Sequence, residues 1–321
     1  MSNDIATRFK NGHNIVIPQE TLKSVRDNIE SCLSKGTREM YKIDWRIFSE
    51  WCLAHNVNPL PIPPEVLCIF LTEQANAGFA PATLIRRLAA IKRCYDRAGL
   101  DSPTKHPAVL MCMKGIKRNT SHEVKKKSAA TVDRIQEMIN HCPDNISGLR
   151  DKAILLLGFA GAFRRSELVA LTTRDITRTD DGIKVIIRRS KTDQEGKGHT
   201  IAIPNGQNLR VVDHLFAWLK EAHIVNGFLF RSIRKGGKVQ ERVLTSHAIA
   251  EIVKKYARLL GLTVENFSGH SLRSGLITTA AKSGASINKI MEISRHSDIN
   301  TLVGYVRNEN LFENHAGEKF L

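Results

Sequence analysis

Residues 268–275 read Ser-Gly-His-Ser-Leu-Arg-Ser-Gly, and this stretch decides how the chain is interpreted because it contains the H-x-x-R motif from His270 to Arg273. A second pair of residues follows downstream, where Tyr305 comes nine positions after His296. Each motif is short, and H-x-x-R alone occurs by chance in many proteins. Together, in a fixed order and with further cationic motifs upstream, they outweigh every other feature of the sequence.

The upstream motifs add a third set of charged side chains. Arg164 lies in the segment Gly-Ala-Phe-Arg-Arg-Ser-Glu-Leu, three positions before Glu167, and Lys191 lies in the segment Ser-Lys-Thr-Asp. Two arginines, two histidines, a lysine and a tyrosine form a set suited to covalent phosphoryl transfer on DNA. Cations aimed at the phosphate oxygens stabilise the charge that grows in the transition state. A tyrosine nucleophile divides one difficult step into two easier ones.

In these motifs the chain resembles the tyrosine recombinases (phage integrases), and their order and spacing are most similar to those of the Cre-like members. The family pattern is Arg-x-x-Glu on a helix, a lysine in a β-hairpin, Ser-Gly-His-x-x-Arg-x-Gly, and a histidine or tryptophan nine residues before the tyrosine. The resemblance runs from about Thr37 to Arg307. It implies a site-specific recombinase that cleaves and rejoins DNA through a 3′-phosphotyrosyl intermediate. Strands would be exchanged between two inverted-repeat sites via a Holliday junction.

The resemblance implies that Arg164 and Arg273 each hold a non-bridging oxygen of the scissile phosphate. A guanidinium suits this role because its planar fork bonds phosphate bidentately and stays charged. Arg165 is the rival at the first position, but the family motif selects the arginine three residues before the glutamate. Glu167 is expected to orient Arg164 or Lys191. The alternative for Arg164 is an ion pair with Glu167 on a helix surface.

The remaining members of the set take their roles from the family in the same way. Lys191 is expected to act as the general acid that protonates the leaving 5′-oxygen, with Lys197 as the alternative acid. His270 would bond the phosphate or accept the tyrosine proton, and His296 would donate to a non-bridging oxygen. Tyr305 would attack phosphorus. No metal ion and no cofactor are expected, since the cations stand in for a metal and the phosphotyrosyl ester conserves the bond energy.

Composition favours a polyanionic partner and excludes several other classes of protein. The chain has 321 residues and a formal charge of +16, and binding a nucleic acid with such a surface releases condensed counterions. The longest apolar run, Ala153 to Phe163, is about half the length that a bilayer needs, so no membrane span is expected. Six cysteines without a C-x-x-C spacing read as buried thiols of a reducing compartment. The predicted location is the cytoplasm, with the nucleoid, in a prokaryote or encoded by a phage or plasmid.

The predicted fold is mainly α, with an all-helical N-terminal DNA-binding domain and an α+β catalytic domain that contains a small antiparallel sheet. Residues 1–18 show no periodicity and are predicted to form a flexible tail. Helical periodicity extends over residues 19–118, with Thr37 capping one helix and Gly99 ending another. The polar, basic segment 119–128 is interpreted as the interdomain linker. It either crosses the DNA backbone as a strap or is a solvated linker without contacts.

Residues 129–321 are predicted to form the catalytic domain. The β-rich runs 183–187 and 200–203 surround a polar turn that contains glycine, which is typical of a β-hairpin. A short helix is expected to carry Arg164 and Glu167. Further helices are expected at residues 131–141, 148–161, 209–222, 246–260, 271–283, 287–294 and 300–307.

Polar side chains outside the motifs are candidates for DNA contacts. The helix that begins at Pro81 is expected to enter the major groove, with its cationic face opposite its apolar stripe. A loop at residues 231–238 and the start of the next helix match DNA-facing positions of the family. Any of these side chains could equally be a solvated charge. The candidates are Lys42, Thr83, Arg86, Arg87, Arg234, Lys235 and His247.

The chain continues for 16 residues after Tyr305 and ends in Phe320-Leu321. The family docks its C-terminal helix into a neighbouring subunit, which implies a homotetramer on double-stranded DNA; the alternative is a tail that folds back on its own domain. Two other functions stay open at the level of sequence. One is a type IB-like topoisomerase with the same chemistry but no strand exchange. The other is a non-catalytic DNA-binding protein on the same fold.

Overall fold

The computed structural model describes residues 18–120, 127–188, 198–296, 298, 299 and 302. These residues divide into two compact units, one within Met1–Val124 and one within Lys125–Leu321. Both units consist mainly of α-helices, and the second adds two small antiparallel sheets. The predicted fold class is therefore confirmed. Residues 1–17 of the predicted tail, residues 121–126 of the predicted linker and all but residue 302 of the helix predicted at 300–307 lie outside the described residues.

The first unit is assembled around an apolar core between its helices. Phe48, Phe70, Leu84 and Ile91 are fully buried there, and the rings of Phe48 and Phe70 meet edge to face at 5.1 Å. The α-helices described in this unit are α1 (Gln19–Ser31), α2 (Lys35–Ala54), α3 (Pro64–Asn76), α4 (Pro81–Ala98) and α5 (Pro107–Asn119).

Local chemistry sets the ends of these helices. At α4, Gly99 adopts a left-handed conformation with φ 70°, which a glycine accepts without strain, so the predicted end is confirmed. At α2 the prediction that Thr37 is the cap was wrong. Ser34 is the N-cap, and its Oγ accepts a hydrogen bond from the Thr37 amide at 3.2 Å. Both residues are good capping types three positions apart, and the earlier one begins the helix.

The second unit packs its helices and sheets around one long apolar helix. Ile154, Leu155, Leu156 and Leu157 on that helix are all fully buried, as expected of a helix surrounded by protein on every side. The α-helices described are α6 (Val132–Asn140), α7 (Ile146–Ala160), α8 (Arg165–Ala170), α9 (Val211–Glu221), α10 (Ser246–Leu259), α11 (His270–Lys282) and α12 (Ile287–Ser294). The helices predicted between residues 131 and 294 are therefore confirmed, with small shifts at their ends.

The sheets of the second unit agree with the prediction only in part. Strands β2 (Gly182–Ile187) and β3 (His199–Pro204) form the predicted antiparallel hairpin, with Val185 paired to Ile201. Strand β1 (Ile176–Thr179) adds to the free edge of β2 and was not predicted. Strand β4 (Arg231–Ile233) lies within residues 231–238, where a loop was expected, and pairs with β5 (Val239–Val243), which was not predicted. Among the described residues, no helix is long and apolar enough to cross a membrane.

Candidate active site

A buried carboxylate at the start of α8 organises the site. Glu167 lies in the first turn of α8, and its side chain is only 1% exposed. It accepts a hydrogen bond from the Arg164 amide at 2.9 Å and a second from Arg164 Nη1 at 2.7 Å. The Arg164 guanidinium is therefore folded back over the first turn and remains 19% exposed. Arg164 does pair with Glu167, as the alternative interpretation held. The pair does not lie on the helix surface, however, because the Glu167 carboxylate is buried.

Arg273 reaches the same place from α11. It is fully buried, and its Nη1 donates to the Ala162 carbonyl at 2.9 Å. A Cβ added to Gly275, two residues on, would lie 1.9 Å from the Ala130 carbonyl oxygen. Because only a glycine permits this approach of helix and backbone, the last position of the motif holds α11 at the depth that Arg273 needs.

The rival arginine, Arg165, packs against the glycine that precedes His270. Arg165 is exposed, and its Cγ and Cδ lie 2.2 Å from where a Cβ on Gly269 would stand. The glycine before His270 therefore makes room for the Arg165 side chain over the start of α11. Arg164 and not Arg165 makes the buried contact with Glu167.

The two motif histidines face these arginines. Nη2 of Arg273 lies 3.3 Å from Nε2 and 3.4 Å from Nδ1 of His296, and the Ser294 hydroxyl lies 2.9 Å from Nδ1. Burial, followed by the charges of Arg273 and Arg164, lowers the pKa of His296 to about 4. His296 is therefore neutral near pH 7 and able to accept or donate a hydrogen bond without carrying charge.

His270, the first residue of α11, is exposed at the surface of the unit. Desolvation by the surrounding protein, followed by the charges of Arg273, Arg164 and Arg165, lowers its pKa. A neutral imidazole can accept a proton, whereas an imidazolium cannot. The described members of the motif set, which are Arg164, Glu167, His270, Arg273 and His296, thus come together in one cluster.

Arg295 belongs to the same cluster and was missed at the level of sequence. Its Nη2 donates to Glu167 Oε2 at 2.9 Å and to the Ala162 carbonyl at 2.9 Å, and its Nη1 donates to the Gly161 carbonyl at 3.0 Å. In the sequence, Arg295 is marked only by its position, directly after a predicted helix and directly before His296. An arginine at the end of a helix is more often exposed to solvent, so this position did not indicate a buried residue of the site.

Burial alone would raise the pKa of Glu167, but the charge of Arg295 and the hydrogen bonds and charge of Arg164 outweigh it and lower the pKa. The carboxylate is therefore ionised at neutral pH. A single negative charge lies between two guanidiniums, so the group formed by Glu167, Arg164 and Arg295 has a net charge of +1. With Arg273 beside it, the cluster carries a net positive charge, which suits an anionic oxygen.

Three predicted active-site positions lie outside the described residues. Tyr305 follows the last described position. Lys191 and the alternative Lys197 belong to the connection between β2, which ends at Ile187, and β3, which begins at His199.

The DNA-contact candidates of the first unit differ in exposure. Lys42 is exposed, and its Nζ lies 3.2 Å from Glu39 Oε1. Arg86 makes a two-pronged ion pair with the buried Asp44, at 2.7 and 3.0 Å, and Thr83 is half-buried on the same helix. These side chains leave polar atoms at the surface of the unit.

Arg87 does not lie on the cationic face where it was predicted. It is 3% exposed, donates to the Gln74 side chain and lies 4.2 Å above the Phe79 ring. Its position explains this, because it is three residues after Leu84 and four before Ile91, both fully buried. Arg87 therefore falls within the apolar stripe of α4, and its guanidinium is directed towards Gln74 and Phe79 rather than lying on the cationic face.

The candidates of the second unit are exposed. Arg234 and Lys235 lie in the turn between β4 and β5, where the Arg234 amide donates to the Lys238 carbonyl at 3.0 Å. His247 lies in the first turn of α10, and its side chain is 79% exposed. All three side chains are accessible to a large ligand.

Comparison with known proteins agrees with this geometry. The phage integrase family profile matches residues 129–311. The chain is 35% identical over 302 residues to an integrase/recombinase XerD homolog of Selenomonas ruminantium, covering 92% of this chain and 88% of that protein. It is 26% identical over 317 residues to the recombinase Cre of Escherichia phage P1, covering 90% of each. Its fold is similar to that of the XerH site-specific recombinase bound to palindromic difH substrate in a post-cleavage complex. That similarity has a TM-score of 0.65 at 17% identity and covers 88% of this chain and 79% of the other.

Proposed function

This chain belongs to the phage integrase family, the tyrosine recombinases, and on that premise we propose that it cleaves and rejoins double-stranded DNA at specific sites through a covalent link to Tyr305. The observation that carries the proposal is the convergence of Arg164, Arg273, His270 and His296 in one cluster, in which Arg164 is paired with the ionised Glu167. Cations and neutral imidazoles in that arrangement match the needs of a phosphodiester whose negative charge deepens during displacement.

The proposed reaction starts with attack on phosphorus by the phenolic oxygen of Tyr305. A bond forms between that oxygen and phosphorus, and the bond from phosphorus to the 5′-oxygen breaks. The phenolic proton passes to His270, whose lowered pKa leaves it neutral and able to accept it, and Lys191 protonates the leaving 5′-oxygen. Arg164, Arg273 and His296 bond the non-bridging oxygens.

Religation is the reverse of cleavage with a different 5′-hydroxyl as the nucleophile. The phosphotyrosyl ester retains one phosphate ester bond for each one broken, so the cycle requires neither ATP nor a metal ion. In the full proposal, a homotetramer holds two inverted-repeat sites and exchanges DNA strands between them through a Holliday junction. The predicted docking of the C-terminal tail on a neighbouring subunit concerns residues 306–321, which lie outside the described part of the chain, and it stays part of this proposal, as does action in the cytoplasm on nucleoid or plasmid DNA.

DNA affinity in this proposal comes mainly from charge. The excess of 48 lysines and arginines over 32 aspartates and glutamates favours a polyphosphate, and exposed Lys42, Arg234 and Lys235 are proposed phosphate contacts. Such contacts position the protein but carry little information about the base sequence.

The decisive experiment captures the covalent intermediate on fragmented genomic DNA of the source organism. Wild type, Tyr305→Phe and Tyr41→Phe are incubated with the DNA, denatured and recovered, and the linked peptide is identified by mass spectrometry. The chain has four tyrosines, and Tyr41, which lies in the first unit, is the matched control. We expect the adduct with wild type and Tyr41→Phe, and none with Tyr305→Phe.

The captured DNA also provides the target site. An adduct that survives in Tyr305→Phe would disprove the assigned nucleophile. Tight binding of wild type to the same DNA without any adduct would favour a non-catalytic DNA-binding protein. Relaxation of any supercoiled plasmid by a monomer, with no strand exchange, would favour the topoisomerase.

A further inference from the structure

Arg295 has a backbone conformation that its residue type disfavours. It follows the last residue of α12 with φ 57° and ψ 40°, in the left-handed region, where a side chain with a Cβ is strained. Its side chain is nevertheless only 6% exposed. A strained backbone and a buried guanidinium occur together only where surrounding contacts compensate for both.

Those contacts connect Arg295 to both phosphate-binding arginines. Through Glu167 Oε2 it shares a carboxylate with Arg164, and through the Ala162 carbonyl it shares an acceptor with Arg273. Each shared acceptor lies 2.9 Å or less from both of its donors. A shift of Arg295 would therefore move or release the acceptors that fix the other two guanidiniums.

The charge of Arg295 has a second effect. Without it, Glu167 and Arg164 would form a neutral pair, and the attraction of Arg164 for a phosphate would be largely offset at close range. With Arg295 present, one carboxylate is shared between two cations, so the group formed by Glu167, Arg164 and Arg295 keeps a net positive charge.

We propose that Arg295 is a positioning residue for the cleavage reaction, which holds Arg164 through Glu167 and Arg273 through the Ala162 carbonyl. The proposal rests on the proposed function of this site. In this proposal Arg295 acts through Glu167 and the Ala162 carbonyl, which it shares with Arg164 and Arg273, and fixes the distance and direction between those two arginines.

The test replaces Arg295 without disturbing its backbone. Asparagine is the side chain with a Cβ that best tolerates the left-handed region, so Arg295→Asn removes the guanidinium with little added strain, and Arg295→Lys retains the charge. Arg210→Asn is the matched control, because Arg210 is also left-handed, with φ 45°, but lies exposed on the surface beside Asp213. Each variant is made in the full chain.

Three quantities are measured on a duplex that carries the site captured with wild type. They are the single-turnover cleavage rate at saturating DNA, the equilibrium Kd for the duplex, and the thermal unfolding midpoint. We expect Arg295→Asn to slow cleavage about tenfold to a hundredfold, because a misplaced catalytic group commonly costs that much. We expect its Kd to stay within about threefold, because most of the affinity comes from other cations. Arg295→Lys should recover part of the rate, and Arg210→Asn should match wild type.

The outcomes separate this inference from the proposed function. If wild type gives no cleavage on any captured or genomic DNA, the proposed function fails, and the inference fails with it. If wild type cleaves and Arg295→Asn cleaves at the same rate, only the inference is wrong. A loss of rate that merely follows a fall in the unfolding midpoint or in DNA affinity, with no recovery in Arg295→Lys, would show a structural role and also overturn it.

Discussion

Replacement of Glu167 by glutamine should destabilise the second unit strongly, although it removes no volume from the core. Glutamine keeps one oxygen and exchanges the other for an amino group. The carboxylate now accepts from the Arg164 amide, from Arg164 Nη1 and from Arg295 Nη2. An amino group at either position faces a donor, so at least one of these bonds is lost and two guanidiniums face each other without an anion.

The magnitude follows from burial and from the number of charged bonds. A hydrogen bond to a charged group contributes about 1.5–3 kcal/mol, and breaking a buried ion pair by removing one partner costs about 3–5 kcal/mol. With the Glu167 side chain 1% exposed and both partners largely buried, we expect the free energy of unfolding to fall by about 3–5 kcal/mol at pH 7.

The size of this loss depends on pH. The pKa of Glu167 is lowered in the folded protein, so its contribution is complete above its unfolded pKa of about 4.3 and disappears as the pH falls through the folded value. The difference between wild type and Glu167→Gln should therefore be constant near neutrality and shrink below about pH 4.

Urea unfolding followed by the fluorescence of Trp218 measures this difference. The chain has three tryptophans, and Trp218 is fully buried in the second unit, with its indole N–H donating to the Leu229 carbonyl at 2.8 Å. A background in which Trp45 and Trp51 are replaced by phenylalanine makes Trp218 the sole reporter. Glu221→Gln, an exposed change on α9, is the matched control and should stay within about 0.5 kcal/mol.

Two results would refute the reasoning about the buried anion. One is a loss of less than about 1 kcal/mol at pH 7, within the range of an ordinary surface substitution. The other is a difference between wild type and Glu167→Gln that does not shrink as the pH is lowered.

Three further predictions concern the same unit. By NMR, the ring of His296 should titrate with a pKa of about 4, and a midpoint near 6.5 would show that neither burial nor the charges of Arg273 and Arg164 lower it. Gly275→Ala should destabilise the second unit in urea unfolding, since its Cβ would lie 1.9 Å from the Ala130 carbonyl; the control Gly36→Ala, which lies in the first turn of α2 in the first unit with open space around it, should leave the unfolding of the second unit unchanged. Arg273→Ala should reduce single-turnover cleavage at least about a hundredfold with DNA affinity nearly unchanged in a gel-shift assay, and a parallel loss of both would contradict its role.

Most of the helical framework was predictable because its signals are local. The end of α4 at Gly99 needs only a glycine, and the fully buried run of α7 needs only a long apolar period. Arg87 is an exception on α4. The charge of Arg87 suggested an exposed position, but its spacing from Leu84 and Ile91 places it in the buried stripe. Burial of the guanidinium is tolerated because Asp44 and Gln74 supply polar partners.

The strands were harder to predict because their apolar content is low. Strand β1 reads Ile-Thr-Arg-Thr and β4 reads Arg-Ser-Ile, and neither has the alternation that marks a half-buried strand. Both exist because a neighbouring strand offers free backbone groups at its edge. The prediction of the hairpin formed by β2 and β3 was correct, since its paired Ile and Val residues alternate clearly.

Within the site, the motifs predicted Glu167 as a partner of Arg164 but gave no sign of Arg295, which contacts the same carboxylate. The Arg295 contacts depend on the turn between α7 and α8, where Ala162 is left-handed with φ 45°. That conformation turns the Ala162 carbonyl towards Arg273 and Arg295, both at 2.9 Å. Two strained residues thus support each other, since each charged hydrogen bond contributes about 1.5–3 kcal/mol against about 1–2 kcal/mol for a left-handed residue. A sequence motif cannot indicate this contact between Arg295 and Ala162, because the acceptor is a backbone carbonyl, which every residue type has.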